Sequence, residues 1–425
     1  MLTARPHRFV ALLAATTIVA GAAFVAGVRA ATPAVAEFFD DSQVQTIDFT
    51  INSRDWQSLK DHYLDNDYYP CDFKWRDQVV RNVGIRSRGT GSRSGAKPGL
   101  RVDFDRFTTK QTFLGTLKSF ILRNQTQDAS NMHERIGMLL YQRLGVPAVR
   151  ETYARVYVNN TYSGLYTIVE SPDKAYLDRI YGDKDGHLYK YDYNAGDSPW
   201  FFQSIGDDPA QYVPHPFKPE THEDDPQPEF VRNFIRIAST DSDAVWRSNL
   251  ASYIDWENFA KHIAVEAFIA DQDGFNGDYG VNNFYWYRWT NKNLFSWIAW
   301  DKSEAFKSAP TQNVFHNVLE GDPARRNRLS ARAMTLDDVR NMYLDALLVL
   351  AASAGERDPA APDDTRGWME REIDRDYQQI RDLVYADSEK PFTNEEFEQA
   401  VESLRTFARI RPGSVVTQVN TFRRQ

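Results

Sequence analysis

The sequence predicts an α+β chain in two parts, a β-rich amino-terminal part over residues 37–175 and a mainly helical carboxyl-terminal part over 176–425. Three observations carry this reading. Apolar and polar residues alternate with period two in several short runs before residue 170. After residue 230 the apolar residues recur mostly with helical spacing. A length of 425 residues with 42% hydrophobic and 13% aromatic content is enough to build a large buried core rather than a disordered chain.

The first strand is expected over 44–51, followed by a helix over 53–64 and strands over 79–86 and 100–104. Asn131 with Glu134 three residues on reads as a capping pair opening a helix to about Leu144, which Gly145 and Pro147 end. Strands over 153–158 and 162–169 follow, turned by Asn159-Asn160. The six prolines and interspersed acids of 207–230 are incompatible with a regular element and predict a long surface insertion. One helix is expected over 244–269, then two aromatic strands, then helices over 336–352, 368–385 and 393–409. The last is opened by the capping box Thr393-Asn-Glu-Glu396, and 355–367 is a Pro/Asp-rich connector.

Net charge is −9, and the first 30 residues contain three arginines and no acid, so the body is more acidic still and is not expected to bind nucleic acid. Residues 1–36 read as an export signal: Arg5 and Arg8 precede an apolar run over 9–28, with small-residue cleavage points after Ala30 and after Ala36. Retention of that run as a membrane anchor is the alternative, since about 20 apolar residues span a bilayer. The single cysteine, Cys71, forbids an internal disulfide and is expected to be a buried, inert thiol.

Chemistry concentrates in two places. A loop carrying Asp273, Asp278 and Asn283 runs into an aromatic strand, and a second apolar run, Phe295-Ser-Trp-Ile-Ala-Trp-Asp301, delivers Asp301 at its end. Hard cations such as Mg²⁺ need an oxygen set of this kind. Upstream, Gly84, Gly89, Gly91 and Gly95 interleave with Arg86, Arg88, Arg93 and Lys97, so this loop can offer backbone N–H groups, the Ser92 hydroxyl and cations to a polyphosphate.

These strings resemble those of the spore coat protein H (CotH) kinase family. Asp273-Gly-Phe falls on its D-x-Y string, Asn282-Asn-Phe-Tyr-Trp-Tyr287 on H/N-N-Y-Y-L-Y, and Trp297-Ile-Ala-Trp-Asp301 on W-I-P-W-D. Val83-Gly-Ile-Arg-Ser-Arg-Gly-Thr-Gly-Ser92 with Lys97-Pro98 is similar to the family's R-G-N-S-S…K-K loop. Tyr157 to Glu170 is similar to its Y-v-N-G-x-Y-x-G-l-Y-x-l-v-E stretch, and the order matches from about Val44 onward.

The resemblance implies a two-lobed, atypical protein kinase-like fold and transfer of a phosphoryl group from ATP, with Mg²⁺ or Mn²⁺, to Ser or Thr of an exported protein. By it, Asp301 and Asn283 hold metal. Asp273, on the D-x-Y string, or Asp278, five residues before Asn283, orients the acceptor hydroxyl. Arg88 or Lys97 contacts phosphate together with Gly89, Gly91 and Ser92, with Arg101 an additional cation candidate. Glu134 tethers that cation or caps its helix, and Glu170 meets the nucleoside.

Two departures are visible. Ser303 stands where the family's second acid falls and Lys307 where its glycine falls, and the doubled lysine is reduced to Lys97-Pro98. The competing expectations are a CotH-like surface or coat module with an idle site, separated by metal-dependent nucleotide binding, and a secreted glycoside hydrolase, which needs two facing carboxyl groups across an aromatic cleft.

Amino-terminal sequencing of exported protein tests the targeting reading. A start at residue 31 or 37 marks cleavage and an intact Met1 marks an anchor, whereas full-length protein confined to the cytosol contradicts export.

Overall fold

The computed structural model describes residues 33–192 and 198–425, so the export signal lies almost entirely outside the described residues. The barrel part opens with α1 (Pro33–Phe38), β1 (Gln45–Ile51), α2 (Ser53–Asp61), β2 (Tyr69–Trp75), β3 (Gln78–Ser87), β4 (Leu100–Asp103) and β5 (Ser119–Arg123). It closes with α3 (His133–Arg143), β6 (Glu151–Val158) and β7 (Thr161–Glu170). The strands run in the order β1-β2-β3-β4-β5-β7-β6, and the parallel pairing of β1 with β6 shuts the barrel. Period-two burial in β1 points Ile47, Phe49 and Ile51 inward. They join Phe73, Trp75, Phe104, Phe113 and Phe120, with Phe38 of α1 packed edge-on against Trp75, Phe113 and Phe120.

Beyond β7 come α4 (Lys174–Tyr181), β8 (His187–Tyr191), β9 (Phe217–Pro219), α5 (Pro228–Thr240), α6 (Asp243–Leu250) and α7 (Trp256–Ile269). They are followed by β10 (Phe284–Arg288), β11 (Phe295–Ala299), α8 (Arg328–Ala333), α9 (Asp337–Ala354), α10 (Trp368–Ala386) and α11 (Asn394–Phe422). A four-stranded sheet in the order β11-β10-β8-β9 is embedded among these helices. The chain is thus an α+β protein, and no described helix is long and apolar enough to cross a membrane.

Several elements differ from the sequence reading. Strands β2 and β5 were not anticipated: β2 contains Pro70, and β5 is buried at every position and so shows no alternation. The proline-rich 207–230 segment is mostly at the surface, but it is not without a regular element. It contributes β9, which pairs with β8, and its Phe217 stacks on Trp286 with ring centroids 4.5 Å apart. The single helix expected over 244–269 is two, because the Asp255 side chain accepts from Asn258 N and starts α7 afresh.

Asn131 is not a cap. It has φ +60, and the Asp128 carboxylate instead accepts from the backbone N–H groups of Met132 and His133, each at 2.8 Å. The capping box at Thr393 and Glu396 is present. The helix it opens runs past residue 409 through Pro412, held by buried Phe407, Val415 and Val419. Its buried Arg411 donates to the carbonyls of Phe268 at 2.7 Å and Gln312 at 2.6 Å, so this guanidinium satisfies the carboxyl end of α7.

Helix α10 ties the two parts together. The buried Arg135 of α3 donates to both carboxylate oxygens of Asp376 at 2.8 and 2.7 Å and to Glu372 at 2.9 Å.

Trp286 is fully buried between Phe217, Phe234, Phe295 and Trp297. Trp286→Ala is expected to cost about 3–5 kcal/mol in chemical denaturation. A cost below about 1 kcal/mol would show that the proline-rich segment does not share this core.

Candidate active site

The antiparallel β10–β11 ladder aligns Phe284 with Ala299, which brings Asn283 and Asp301 to the same end of the hairpin. Both leave their strands with positive φ, +57 and +47, a conformation that branched or bulky side chains avoid. The loop between α7 and β10 is held by buried charge. Glu266 accepts from Phe275 N at 2.7 Å and Asn276 N at 3.1 Å, and Asp271 accepts from Asp273 N at 3.1 Å. The Lys302 ammonium lies 2.8 Å from Asp271 and 3.2 Å from Glu266. A side chain at position 274 would strike both carboxylates, so the turn requires Gly274. Asp273 is thereby aimed outward, accepting from Asn283 Nδ2 at 2.8 Å and Asn282 Nδ2 at 3.1 Å.

A cleft of about 700 Å³ opens between this loop and the barrel. Asp273, Asn283 and Asp301 line one side and Arg88, Gly89, Gly91 and Ser92 the other, with Lys190 and Asp192 at the edge. A smaller recess shares Arg88, Ser92 and Ser303 with the cleft and is also lined by Arg123, at the end of β5. Arg123 bridges two carboxylates: its Nη1 is 2.6 Å from Asp301 Oδ2, and its Nε is 2.5 Å from Glu134 Oε2 on α3. Its Nη2 has no hydrogen-bond partner among the described residues. The half-buried Arg88 guanidinium donates no hydrogen bond to the described residues either.

Burial and charge set the protonation states. Burial opposes ionisation of Asp301, but the Arg123 and Arg88 guanidiniums and the Ser303 hydroxyl outweigh it and hold the carboxyl at about 2. Burial pushes Asp273 up to about 7, with Asp271 and Asp301 adding to the rise. Glu134 is raised by burial to about 7 despite Arg123, and Glu151 beside it is raised further. Burial and the Arg123 charge pull Arg88 down to about 10.

The donor set fits a hard cation. Asp301 is held in its ionised form, and Asn283 lines the cleft with its amide N–H groups committed to Asp273, which leaves its side-chain oxygen for a cation. Among the described residues no three His, Cys, Asp or Glu side chains form a closed cage. This suits an ion such as Mg²⁺, held by one or two protein oxygens and completed by phosphates. The unpartnered Arg88 guanidinium in the cleft lining suits an anion beside it.

A sequence-family model described as "CotH kinase protein" matches residues 85–415. The chain belongs to that family. It is 23% identical over 352 residues to the inner spore coat protein H of Bacillus subtilis (strain 168), spanning 82% of this chain and 90% of that protein. Among solved structures, the proinflammatory kinase CtkA of Helicobacter pylori covers 73% of this chain and 92% of its own, at 8% identity and a TM-score of 0.29. The Shewanella oneidensis MR-1 toxin–antitoxin complex of HipA, HipB and operator DNA covers 77% of this chain and 66% of its own, at 12% identity and a TM-score of 0.34. TM-scores this low leave the fold to be judged from the chain's own topology.

Within this CotH-family chain, the residues singled out from sequence divide. Asp273, Asn283, Asp301, Arg88, Gly89, Gly91 and Ser92 meet in one cleft. Asp278 does not line it, and instead accepts from His316 Nε2 at 2.7 Å and Asn317 Nδ2 at 2.9 Å. Lys97 is buried with its ammonium 2.6 Å from Asp387, outside the cleft lining. Glu170 is enclosed by Arg150 at 2.6 Å and Arg179 at 2.5 Å, whose charges overcome its burial and lower its pKa. Glu134 pairs with Arg123 rather than with Lys97, and it does not cap α3.

Arg123 was missed. The signal that pointed to Asp301, an apolar run ending in a charge, is also present in Phe120-Ile-Leu-Arg123. Ser303, in place of the family's second acid, donates to Asp301 Oδ1 at 2.9 Å.

With its pKa raised from 3.8 to about 7, Asp273 favours folding below about 3.8 and loses that contribution as pH rises through about 7. Without divalent cations, Asp273→Asn is therefore expected to be more resistant to urea than the parent at pH 8, with the gain vanishing towards pH 4. A pH-independent difference would contradict the burial of this carboxyl.

Proposed function

We propose that this chain is an exported, two-lobed atypical protein kinase that transfers the γ-phosphoryl group of ATP, with Mg²⁺ or Mn²⁺, to a Ser or Thr hydroxyl of an exported or surface protein. The observation that carries the reading is Arg123, which joins Glu134 of α3 to Asp301 beneath the glycine-rich loop. Protein kinases require a strand cation paired to a helix glutamate, together with an aspartate for the metal, and this cluster supplies the same parts.

Asp301 and Asn283 would hold the metal, which would supply positive charge to neutralise the phosphates. The Arg88 guanidinium, which lines the cleft beside the loop, would take the non-transferred phosphates, with the buried Arg123 holding Asp301 in place. Backbone N–H groups around Gly89 and Gly91, which line the same cleft, would meet the same oxygens. Asp273, steered by Asn282 and Asn283, would accept the proton of the acceptor hydroxyl as its oxygen bonds to the γ-phosphorus and the bond to the β–γ bridging oxygen breaks, releasing ADP. Asp278 is spent on His316 and Asn317, which favours Asp273 for this part.

Export is supported by the sequence, and the buried face of α1 bears on the mature start. Val35 and Phe38 pack into the barrel core, so cleavage after Ala30 keeps that helix whole, whereas cleavage after Ala36 removes Val35.

Two substitutions test the proposal. Asp301→Asn is expected to leave the fold intact and to abolish metal-dependent ATP binding in calorimetry, because a neutral amide loses the charge that attracts a hard cation. Unchanged nucleotide affinity would sink the assignment. Asp273→Ala is expected to reduce phosphoryl transfer by roughly 10²-fold or more while ATP affinity stays close to the parent's. Transfer that survives this change and dies with Asp278→Ala would reverse the two aspartates, and ATP binding without any transfer would favour an idle surface module.

A further inference from the structure

The glycine-rich loop over 88–99 is pinned from three sides. Arg93 donates to the carbonyls of Tyr63 at 3.0 Å and Asp65 at 2.9 Å and to Asn66 Oδ1 at 2.6 Å, fixing the loop to the end of α2. Asn124, next to Arg123, donates from its Nδ2 to the carbonyls of Ser92 at 2.9 Å and Lys97 at 2.7 Å. The third tether is remote in sequence. The Lys97 ammonium reaches across 290 residues to Asp387 Oδ2 at 2.6 Å, in the turn between α10 and α11. Lys97 is 1% exposed and Asp387 2%.

The carboxylate of Asp387 is itself fixed. Its Oδ2 accepts from Leu165 N and its Oδ1 from Glu389 N, each at 3.0 Å. It also fills the space beside Gly164, where any side chain would collide with it. The ammonium sits over the Tyr166 ring at 5.1 Å. An ion pair this buried adds little net stability relative to an apolar pair of similar size, but it fixes geometry, because breaking it leaves an uncompensated charge. What it fixes here is the loop that brings Arg88, Gly89, Gly91 and Ser92 to the cleft. The same helix α10 holds α3 through Arg135 and Asp376, and so the helix that presents Glu134 to Arg123.

We propose that Asp387 is a positioning residue, which acts through Lys97 to hold the glycine-rich loop over the cleft, making the α10–α11 turn part of the candidate active site. That the loop covers phosphate rests on the kinase reading above; that the pair holds the loop does not.

The test uses the full chain with two variants, Asp387→Asn and the double variant Lys97→Met with Asp387→Leu, the second keeping the site filled and uncharged if the first fails to fold. Hydrogen exchange over residues 88–99 is expected to accelerate about tenfold in the folded variants, and ATP affinity in the presence of Mg²⁺ to weaken by a similar factor, since a loop ordered a tenth of the time raises the apparent Kd tenfold. Exchange over 88–99 that matches the parent in the folded double variant would overturn the positioning role. So would accelerated exchange with unchanged ATP affinity, which would leave the pair structural only. A parent chain that binds no ATP would fail the kinase reading, while the exchange measurement would still decide whether the pair holds the loop.

Discussion

The candidate site depends on one guanidinium. Arg123, the last residue of the fully buried strand β5, meets the first turn of α3 and the second residue after β11, and it holds the carboxylates of Glu134 and Asp301 at 2.5 and 2.6 Å. One carboxylate stands on α3 and the other just beyond β11, so this contact ties β5 of the barrel and α3 to the strand pair that carries Asp301. It also sets charge. Asp301 stays ionised because Arg123 is there, whereas burial outweighs the same attraction at Glu134 and, with the Asp301 charge adding to the rise, tips it towards its neutral form. Removing either carboxylate would leave the other paired, whereas removing Arg123 would leave buried acids facing each other, an arrangement worth several kcal/mol of destabilisation.

A second buried network does for the Asp273 loop what Arg123 does for Asp301. Lys302, the residue after Asp301, turns away from the cleft into the core and neutralises Asp271 and Glu266, which in turn grip the backbone from Asp273 to Asn276. Consecutive residues Asp301 and Lys302 therefore face opposite directions, one into the cleft and one into its scaffold. The positive φ at Asp301 belongs to this reversal.

What could be read from sequence follows from how local the determinant is. Strand β1 announces itself by alternation, β6 and β7 by the Asn159-Asn160 turn between two runs rich in branched and aromatic residues, and α11 by its capping box, because each signal lies within a few residues. Strand β5 and Arg123 do not, since β5 is buried on both faces and one of the two partners of Arg123, Asp301, lies 178 residues away. The proline-rich segment misled for the opposite reason. Its prolines rule out a long element, yet three residues suffice to add an edge strand and to place Phe217 on Trp286. Lys97 was visible as a cation in a glycine-rich loop, but its burial against Asp387 depends on a turn near the other end of the chain. The acids that line the cleft were legible because family strings place them there.

The central claim is that Arg123, Asp301 and the glycine-rich loop together form a nucleotide–metal site. A crystal structure of the full chain grown with a non-hydrolysable ATP analogue and Mn²⁺ tests it most directly. The account predicts an anomalous Mn²⁺ peak about 2–2.3 Å from an Asp301 oxygen still paired with Arg123, with the analogue's phosphates against Arg88 and the glycine-rich loop. Mn²⁺ and analogue bound elsewhere, or an empty cleft at saturating analogue, would contradict it.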